Sequence, residues 1–325
     1  MSSRRRVLQF HPTRTGSGRT APGGRGRASA AADARDQVRP DAVIREKVTG
    51  NMHQPRFDST EVAAALGGPV SHLGSGTFGD TWHRGRAAVK IMCGEPLPPE
   101  RLQREVAGLS RIASPYVVRL DGNGTVKLRG REYQALFFEY IEGDDIAKQI
   151  ASGRLPSPAE AEAFLRGLLT GLAHMHDKKT VHRDIKPANV ALRGDDWSRP
   201  VLLDLGLARG DDESTITAYG FAVGTRWYMA PEVLRGQPQK PAADLFAVGV
   251  TVREAVAGRH PFYETGTCLQ PGEMVSRIAE GPCPLPAGMP THVEELLDRL
   301  TDSRKAARGS AYSCLARLLS EGAAA

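Results

Sequence analysis

Thr180-Val181-His182-Arg183-Asp184-Ile185-Lys186-Pro187-Ala188-Asn189-Val190 brings an Asp, a Lys and an Asn into the six positions from Asp184 to Asn189. The stretch lies between an amphipathic run, Ala159 to His176, and a short apolar run, Val201 to Leu205. A carboxylate, a cation and an amide on one short loop suit phosphoryl transfer, because the acid takes a proton and the cation meets the charge of the moving group. Such chemistry needs a nucleotide site elsewhere in the chain. Taken alone the stretch also reads as a polar turn, so the decision falls to its surroundings.

Upstream, Leu73-Gly74-Ser75-Gly76-Thr77-Phe78-Gly79-Asp80-Thr81-Trp82 contains a G-x-G-x-x-G run. Glycines let backbone amides approach phosphate oxygens without side-chain obstruction. A Gly-rich hairpin turn and a dinucleotide fold are the rival readings. The dinucleotide fold wants a helix straight after the third glycine and an acid about 20 residues on. Ala87-Ala88-Val89-Lys90-Ile91 follows instead, an apolar strand carrying one lysine. That arrangement favours strands folded over a nucleotide with Lys90 on its phosphates; a snorkelling edge lysine is the alternative. Pro98 to Ile112 reads as a helix with Leu102, Val106, Leu109 and Ile112 apolar. Glu105, near the face of Leu102 and Leu109, is available to pair with Lys90, and Glu100 competes for that role. Ser59 to Leu66 reads as an earlier helix capped by Ser59 or Thr60. Val117 to Leu120 and Tyr133 to Ile141 read as strands, with turn signals at Gly122-Asn123-Gly124 and Arg129-Gly130.

Downstream, Leu202-Leu203-Asp204-Leu205-Gly206 places a second acid at the end of an apolar strand. An isolated Asp-x-Gly is commonly a turn, but Asp204 and Asn189 together offer oxygen ligands to a small hard cation. From Ser157 the chain turns helical, with Phe164, Leu165, Leu168, Leu169, Leu172 and Met175 as a core stripe. Gly224-Thr225-Arg226-Trp227-Tyr228-Met229-Ala230-Pro231-Glu232, then Asp244 within Ala242 to Gly249, and finally Arg308 complete the sequence features.

In this order the pieces resemble the eukaryotic-type (Hanks-type) serine/threonine protein kinases, from about residue 68 to about residue 318. H-R-D-x-x-x-x-N is complete at His182 to Asn189, and Asp204-Leu205-Gly206 replaces D-F-G. The resemblance implies an α+β, two-lobed protein-kinase fold. A small antiparallel sheet with one helix would occupy 57–141, and a larger, mainly helical lobe 142–325. It implies ATP bound by Leu73, Gly74, Ser75, Gly76, Thr77, Phe78, Gly79, Thr81, Ala88 and Lys90 from the first lobe. Glu139 and Ile141 would meet adenine, Asp145 ribose and Ala191 the other side, with Phe138 as the bulky gate. Asp184 would be the base, Lys186, Lys90 and Glu105 its catalytic companions, and Asn189 and Asp204 the ligands of magnesium, with manganese an alternative.

The same resemblance implies that Lys186 marks an alcohol acceptor on protein substrates and that Thr225 contacts the Asp184 loop. Glu232 would anchor the far lobe, and Asp244 would fix the loop from a buried helix. Arg308 would partner Glu232, although Ser303 and extra residues break the usual Asp-Pro spacing. Arg183 would pair with a phosphate on the activation segment, where Ser214, Thr215, Thr217 and Tyr219 are candidates for autophosphorylation and a dimer is one route to it. The rivals are a pseudokinase scaffold that binds nucleotide without turnover, a small-molecule phosphotransferase, and a nucleic-acid-associated protein acting through a basic tail.

That tail is 1–56. Residues 1–50 carry 11 Lys+Arg against 4 Asp+Glu, while the remainder carries 32 against 33, so the net charge of +6 belongs to the first fifty residues. Rich in Arg, Gly, Ala, Ser and Pro, this segment buries too little to offset folding entropy and is expected to be disordered. It lacks the interleaved aromatics of a nucleic-acid arm, and a solvated tail is the preferred reading. Translation from Met52 and a transit peptide are further alternatives. No apolar run nears the roughly 18 residues of a membrane helix. Cys93, Cys268, Cys283 and Cys314 have no metal spacing, and a cytoplasmic protein with reduced thiols is expected. The richness in Ala, Arg and Gly fits a GC-rich bacterial genome.

Overall fold

The computed structural model describes residues 54–322, apart from 77, 95–97, 205–222 and 265–266. The first element, α1 (Ser59–Leu66), is capped by Asp58, which accepts from Thr60 N and forms a capping box with Glu61. This differs from the expected Ser59 or Thr60 cap: Asp58 reaches the same orphan amides as a full charge, favoured at a helix N-terminus.

Five antiparallel strands follow in the order β1-β2-β3-β5-β4, namely β1 (Ser71–Gly76), β2 (Gly79–Arg84), β3 (Ala87–Met92), β4 (Leu120–Leu128) and β5 (Arg131–Glu139). Between β3 and β4 lies α2 (Pro99–Leu109), started by its proline and burying Leu102 and Leu109. Gly122-Asn123-Gly124, expected to be a turn, runs inside β4 and pairs with β5 after a register shift at Leu120/Gly122. Val126 and Leu128 are buried in alternation along that strand, and the real hairpin turn is Arg129-Gly130, both at positive φ. Val117 forms only an isolated parallel bridge, to Leu202.

Strand alternation divides the sheet's two faces. Val89 and Ile91 join Phe57, Val62, Leu66 and Trp82 in an outer core under α1. Ala88 and Met92 face the other way, against the main core. Lys90 lies between them in the alternation, opposite Thr81.

The rest is helical around two long rods. In α4 (Pro158–Asp177), entered from Ser157 with Glu160 closing a capping box, the expected stripe from Phe164 to Met175 is fully buried. Each such side chain contributes about 1.5–3 kcal/mol. A short α3 (Ile146–Ala151) precedes it. The second rod, α6 (Pro241–Ala257), is buried on nearly every side, the mark of a central helix. Around these lie α5 (Pro231–Leu234), α7 (Pro271–Glu280), α8 (Thr291–Leu300), α9 (Lys305–Arg308) and α10 (Ala311–Gly322). Among the described residues no helix is long and apolar enough to cross a membrane.

A two-stranded ribbon, β6 (Val190–Leu192) with β7 (Pro200–Leu202), joins the Asp184 loop to the Asp204 loop. It sets the spacing of the candidate site.

Candidate active site

Between Thr180 and Asn189 the chain makes no regular element except a 3-10 turn at Pro187–Asn189, so its shape depends on outside supports. Asp244, on α6 and wholly buried, supplies them. Its carboxylate accepts from His182 N at 2.8 Å, Arg183 N at 2.9 Å and His176 Nε2 at 3.0 Å. Arg183 is held at φ +70°, a left-handed conformation costing roughly 1–3 kcal/mol in a non-glycine residue, which persists only where the surroundings over-determine it. His182 is fully buried. Burial pushes its pKa down against the opposing charges of Asp244 and Asp184, and its Nδ1 accepts from Asp184 N at 3.3 Å.

So held, the loop brings its three polar side chains together. Asp184 Oδ2 accepts from Lys186 Nζ at 3.2 Å and from Asn189 Nδ2 at 2.9 Å, and Asn189 Nδ2 also donates to Asp184 O at 2.7 Å. Asn189 is thereby oriented through its amino group. Leu203 N donates to Asn189 O at 2.9 Å across the ribbon, which sets Asp204 beside it. Asp204 also lies at positive φ, +52°.

From the sheet, Lys90 ion-pairs and hydrogen-bonds with Asp204. The protein packed around Asp204 opposes its charge, although 43% of the side chain remains open. The Lys90 ammonium outweighs that opposition and, with Lys186 adding to it, draws the carboxyl below its ordinary range. Glu105 sits half-buried on α2.

The three glycines of the hairpin differ. A Cβ at Gly79 would sit 2.0 Å from Ile91 O, so the packing of β2 on β3 demands glycine there. A Cβ at Gly74 would meet no described atom within 4 Å, and one at Gly76 would meet only Gly79 O, at 4.0 Å. Protein packing therefore gives no reason for the first two glycines. Leu73 on β1 is 40% exposed, and Ser75, Phe78 and Thr81 are partly buried. Ala88 and Phe138 belong to the main core together with Ile141 and Ala191. Asp145 bridges to Ala191 in backbone pairing and caps α3 by accepting from Lys148 N at 3.0 Å. Glu139 carries ion pairs with Arg193 at 3.2 Å and Arg119 at 4.0 Å.

Thr77, Gly206, Ser214, Thr215, Thr217 and Tyr219 lie outside the described residues, as does the Thr225 side chain. No group of three or more His, Cys, Asp and Glu among the described residues could hold a metal ion. Asp204 and Asn189 offer two oxygen-bearing groups on adjoining loops, a set that suits a hard cation whose shell is completed by ligand oxygens.

Further out, Glu232 takes the Arg308 guanidinium in two bonds of 2.7 and 2.9 Å. Tyr228 OH donates to Glu254 at 2.8 Å. His260, absent from the sequence reading, accepts from Phe262 N and Tyr263 N at Nδ1, at 3.3 and 3.2 Å. Its Nε2 must then carry the proton, given to Trp227 O at 3.1 Å. Burial pushes the His260 pKa down to about 4. Nothing local in the sequence marks this histidine, since its partners are main-chain groups.

A five-stranded antiparallel lobe set on a helical lobe, with a glycine hairpin, lysine, aspartate loop and second aspartate at their junction, defines the two-lobed kinase class. The chain belongs to the protein kinase domain family, whose pattern matches residues 69–319. It is similar to serine/threonine-protein kinase PkaA of Streptomyces coelicolor, 30% identical over 268 residues, covering 77% of this chain and 49% of that protein. It is also similar to serine/threonine-protein kinase PknA of Mycobacterium tuberculosis, 29% identical, covering 70% of this chain and 54% of that one. The chain thus spans about half the length of these curated relatives. Among solved structures, Rad53 in complex with AMP-PNP aligns with a TM-score of 0.60 at 23% identity, covering 75% of this chain and 62% of that one, a likeness of fold.

Proposed function

We propose that this chain transfers the γ-phosphoryl group of ATP to serine or threonine hydroxyls of protein substrates. The observation that carries the reading is the convergence of Lys186 and Asn189 on the Asp184 carboxylate, at 3.2 and 2.9 Å. In this reading the acceptor oxygen attacks the γ-phosphorus, its bond to the β,γ-bridging oxygen breaks, and ADP leaves. Asp184 takes the hydroxyl proton. Lys186, fixed beside it, meets the charge on the transferring group. Lys90 exchanges Asp204 for the α- and β-phosphates, and the Gly74 to Gly79 backbone covers them. Magnesium, held by Asp204 and Asn189, would supply charge neutralisation at the phosphates. Glu105 is proposed to receive Lys90 once nucleotide is bound. Positioning and electrostatics carry the acceleration, since little covalent work falls to the protein.

The bacterial serine/threonine-protein kinases among the relatives support the alcohol acceptor. Autophosphorylation within 205–222, on Ser214, Thr215 or Thr217, and a cytoplasmic signalling role are parts of the same proposal.

The test is incubation of the purified chain with radiolabelled ATP and magnesium beside Asp184→Ala, followed by phosphoamino-acid analysis. Label on serine or threonine that vanishes in the variant is expected. ATP binding without label in either protein would replace the proposal with a nucleotide-binding scaffold.

A further inference from the structure

Ahead of α1, the segment Gln54–Asp58 crosses the back of the glycine hairpin. Arg56 binds both of its strands there. Its Nη2 donates to Gly76 O on β1 at 2.8 Å. Its backbone N and its Nη1 donate to the two carboxylate oxygens of Asp80 on β2, at 2.7 and 2.6 Å. Gln54 O accepts from Ser75 Oγ at 3.2 Å, a third tie. The segment is anchored in turn by Phe57, 5% exposed in the outer core, and by α1, whose Glu61 binds Arg129 of the β4–β5 turn at 2.9 Å.

Asp80 decides what this bracket is for. It follows the third glycine directly, its side chain has no exposure, and Arg56 is its ion-pair partner. A buried carboxylate is strongly unfavourable without a paired cation, and Asp80, opposite Ile91, lies on the outer face of the hairpin, away from Lys90. Arg56 cancels that charge while joining the strands on either side of the hairpin tip.

We propose that Arg56 is a positioning residue for the nucleotide, closing a clamp over the back of the glycine hairpin and neutralising Asp80 there. This rests on the ATP site proposed above. The clamp acts on nucleotide affinity and leaves the Asp184 chemistry alone, so its loss appears in KM for ATP and not in kcat.

The experiment uses the full 325-residue chain as wild type, Arg56→Ala, Arg56→Lys and the Arg56→Ala/Asp80→Asn pair. Arg56→Ala should raise KM for ATP about tenfold with kcat within about threefold. Arg56→Lys, which keeps the charge but not the fork, should fall between. The double variant should recover most of the loss, because the stranded carboxylate is gone. Hydrogen exchange without nucleotide should quicken at the amides of 74–80 in Arg56→Ala and stay unchanged in α4. Unchanged exchange and KM in Arg56→Ala would overturn the clamp. Equal falls in kcat and in global stability, with no recovery in the double variant, would reduce Arg56 to a structural role and overturn it too. A wild type that binds no nucleotide would end the ATP reading and the nucleotide half of this proposal; the exchange comparison would still decide the clamp.

Discussion

The Asp244 carboxylate holds the backbone amide of Arg183 at 2.9 Å, and that amide belongs to a residue at φ +70°. A buried acid on one helix thus maintains the backbone turn that aims the next side chain, Asp184. Asp244→Asn keeps the size but offers one accepting oxygen and sets an amino group against amide donors. We expect a loss of about 2–4 kcal/mol in stability and a fall in kcat of at least about a hundredfold with KM for ATP little changed. Urea unfolding and steady-state kinetics on the same preparation measure both; an unchanged kcat would remove Asp244 from loop support.

Arg308 has no side-chain exposure and Glu232 has 9%. Removing one member strands the other's charge. Arg308→Ala should therefore destabilise by about 3–5 kcal/mol, and Arg308→Lys by less, since the ammonium restores charge without the two-pronged geometry. Chemical denaturation gives the order; equal losses would mean that charge plays no part.

The glycines of the hairpin should separate in mutagenesis. Gly79→Ala drives a methyl into the Ile91 carbonyl and should destabilise by about 2 kcal/mol or more. Gly76→Ala meets only Gly79 O, at 4.0 Å, so the thermal midpoint should hold while nucleotide binding weakens. Calorimetric unfolding beside ATP titration distinguishes them, and a drop in the midpoint for Gly76→Ala would contradict the division.

His260 gives the fold a dependence on pH. Its folded pKa of about 4 lies below the ordinary 6.5. Between those values the unfolded chain binds a proton that the folded chain does not. Stability is therefore unaffected by this group above pH 6.5 and declines as pH falls toward 4, by about 3 kcal/mol in all. His260→Gln should flatten that part of the curve while lowering stability at neutral pH through lost packing. Denaturation midpoints from pH 7.5 to 4.5 test the sign, and a variant curve parallel to the wild type would discharge His260 from the effect.

Much of this site was legible because its parts are local. His182 to Asn189 carries carboxylate, cation and amide in one stretch, and Leu202 to Asp204 shows its strand and acid together. The Glu232–Arg308 pair could be named only through resemblance, and the structure bears it out despite the altered spacing. What escaped depends on partners far away in sequence or on main-chain atoms. Arg56 looked like the last residue of a tail because nothing near it announces Asp80. The ion pair of Lys90 with Asp204 joins residues 114 positions apart, a distance no local pattern spans. Gly122 and Gly124 read as breakers because a glycine's conformational freedom shows in sequence, whereas its strand partners do not.

The support of Arg183 also fixes an order of events during synthesis. Asp244 lies 61 residues after it. At roughly 5–20 residues per second the ribosome delivers that acid roughly 3–12 seconds later, before any delay in the exit tunnel. Until then the turn at Arg183 lacks the acceptor that holds it, and the growing chain has its glycine hairpin and Asp184 without the geometry that joins them. Assembly of the site is thus timed by the emergence of α6, well after the glycine hairpin has left the ribosome.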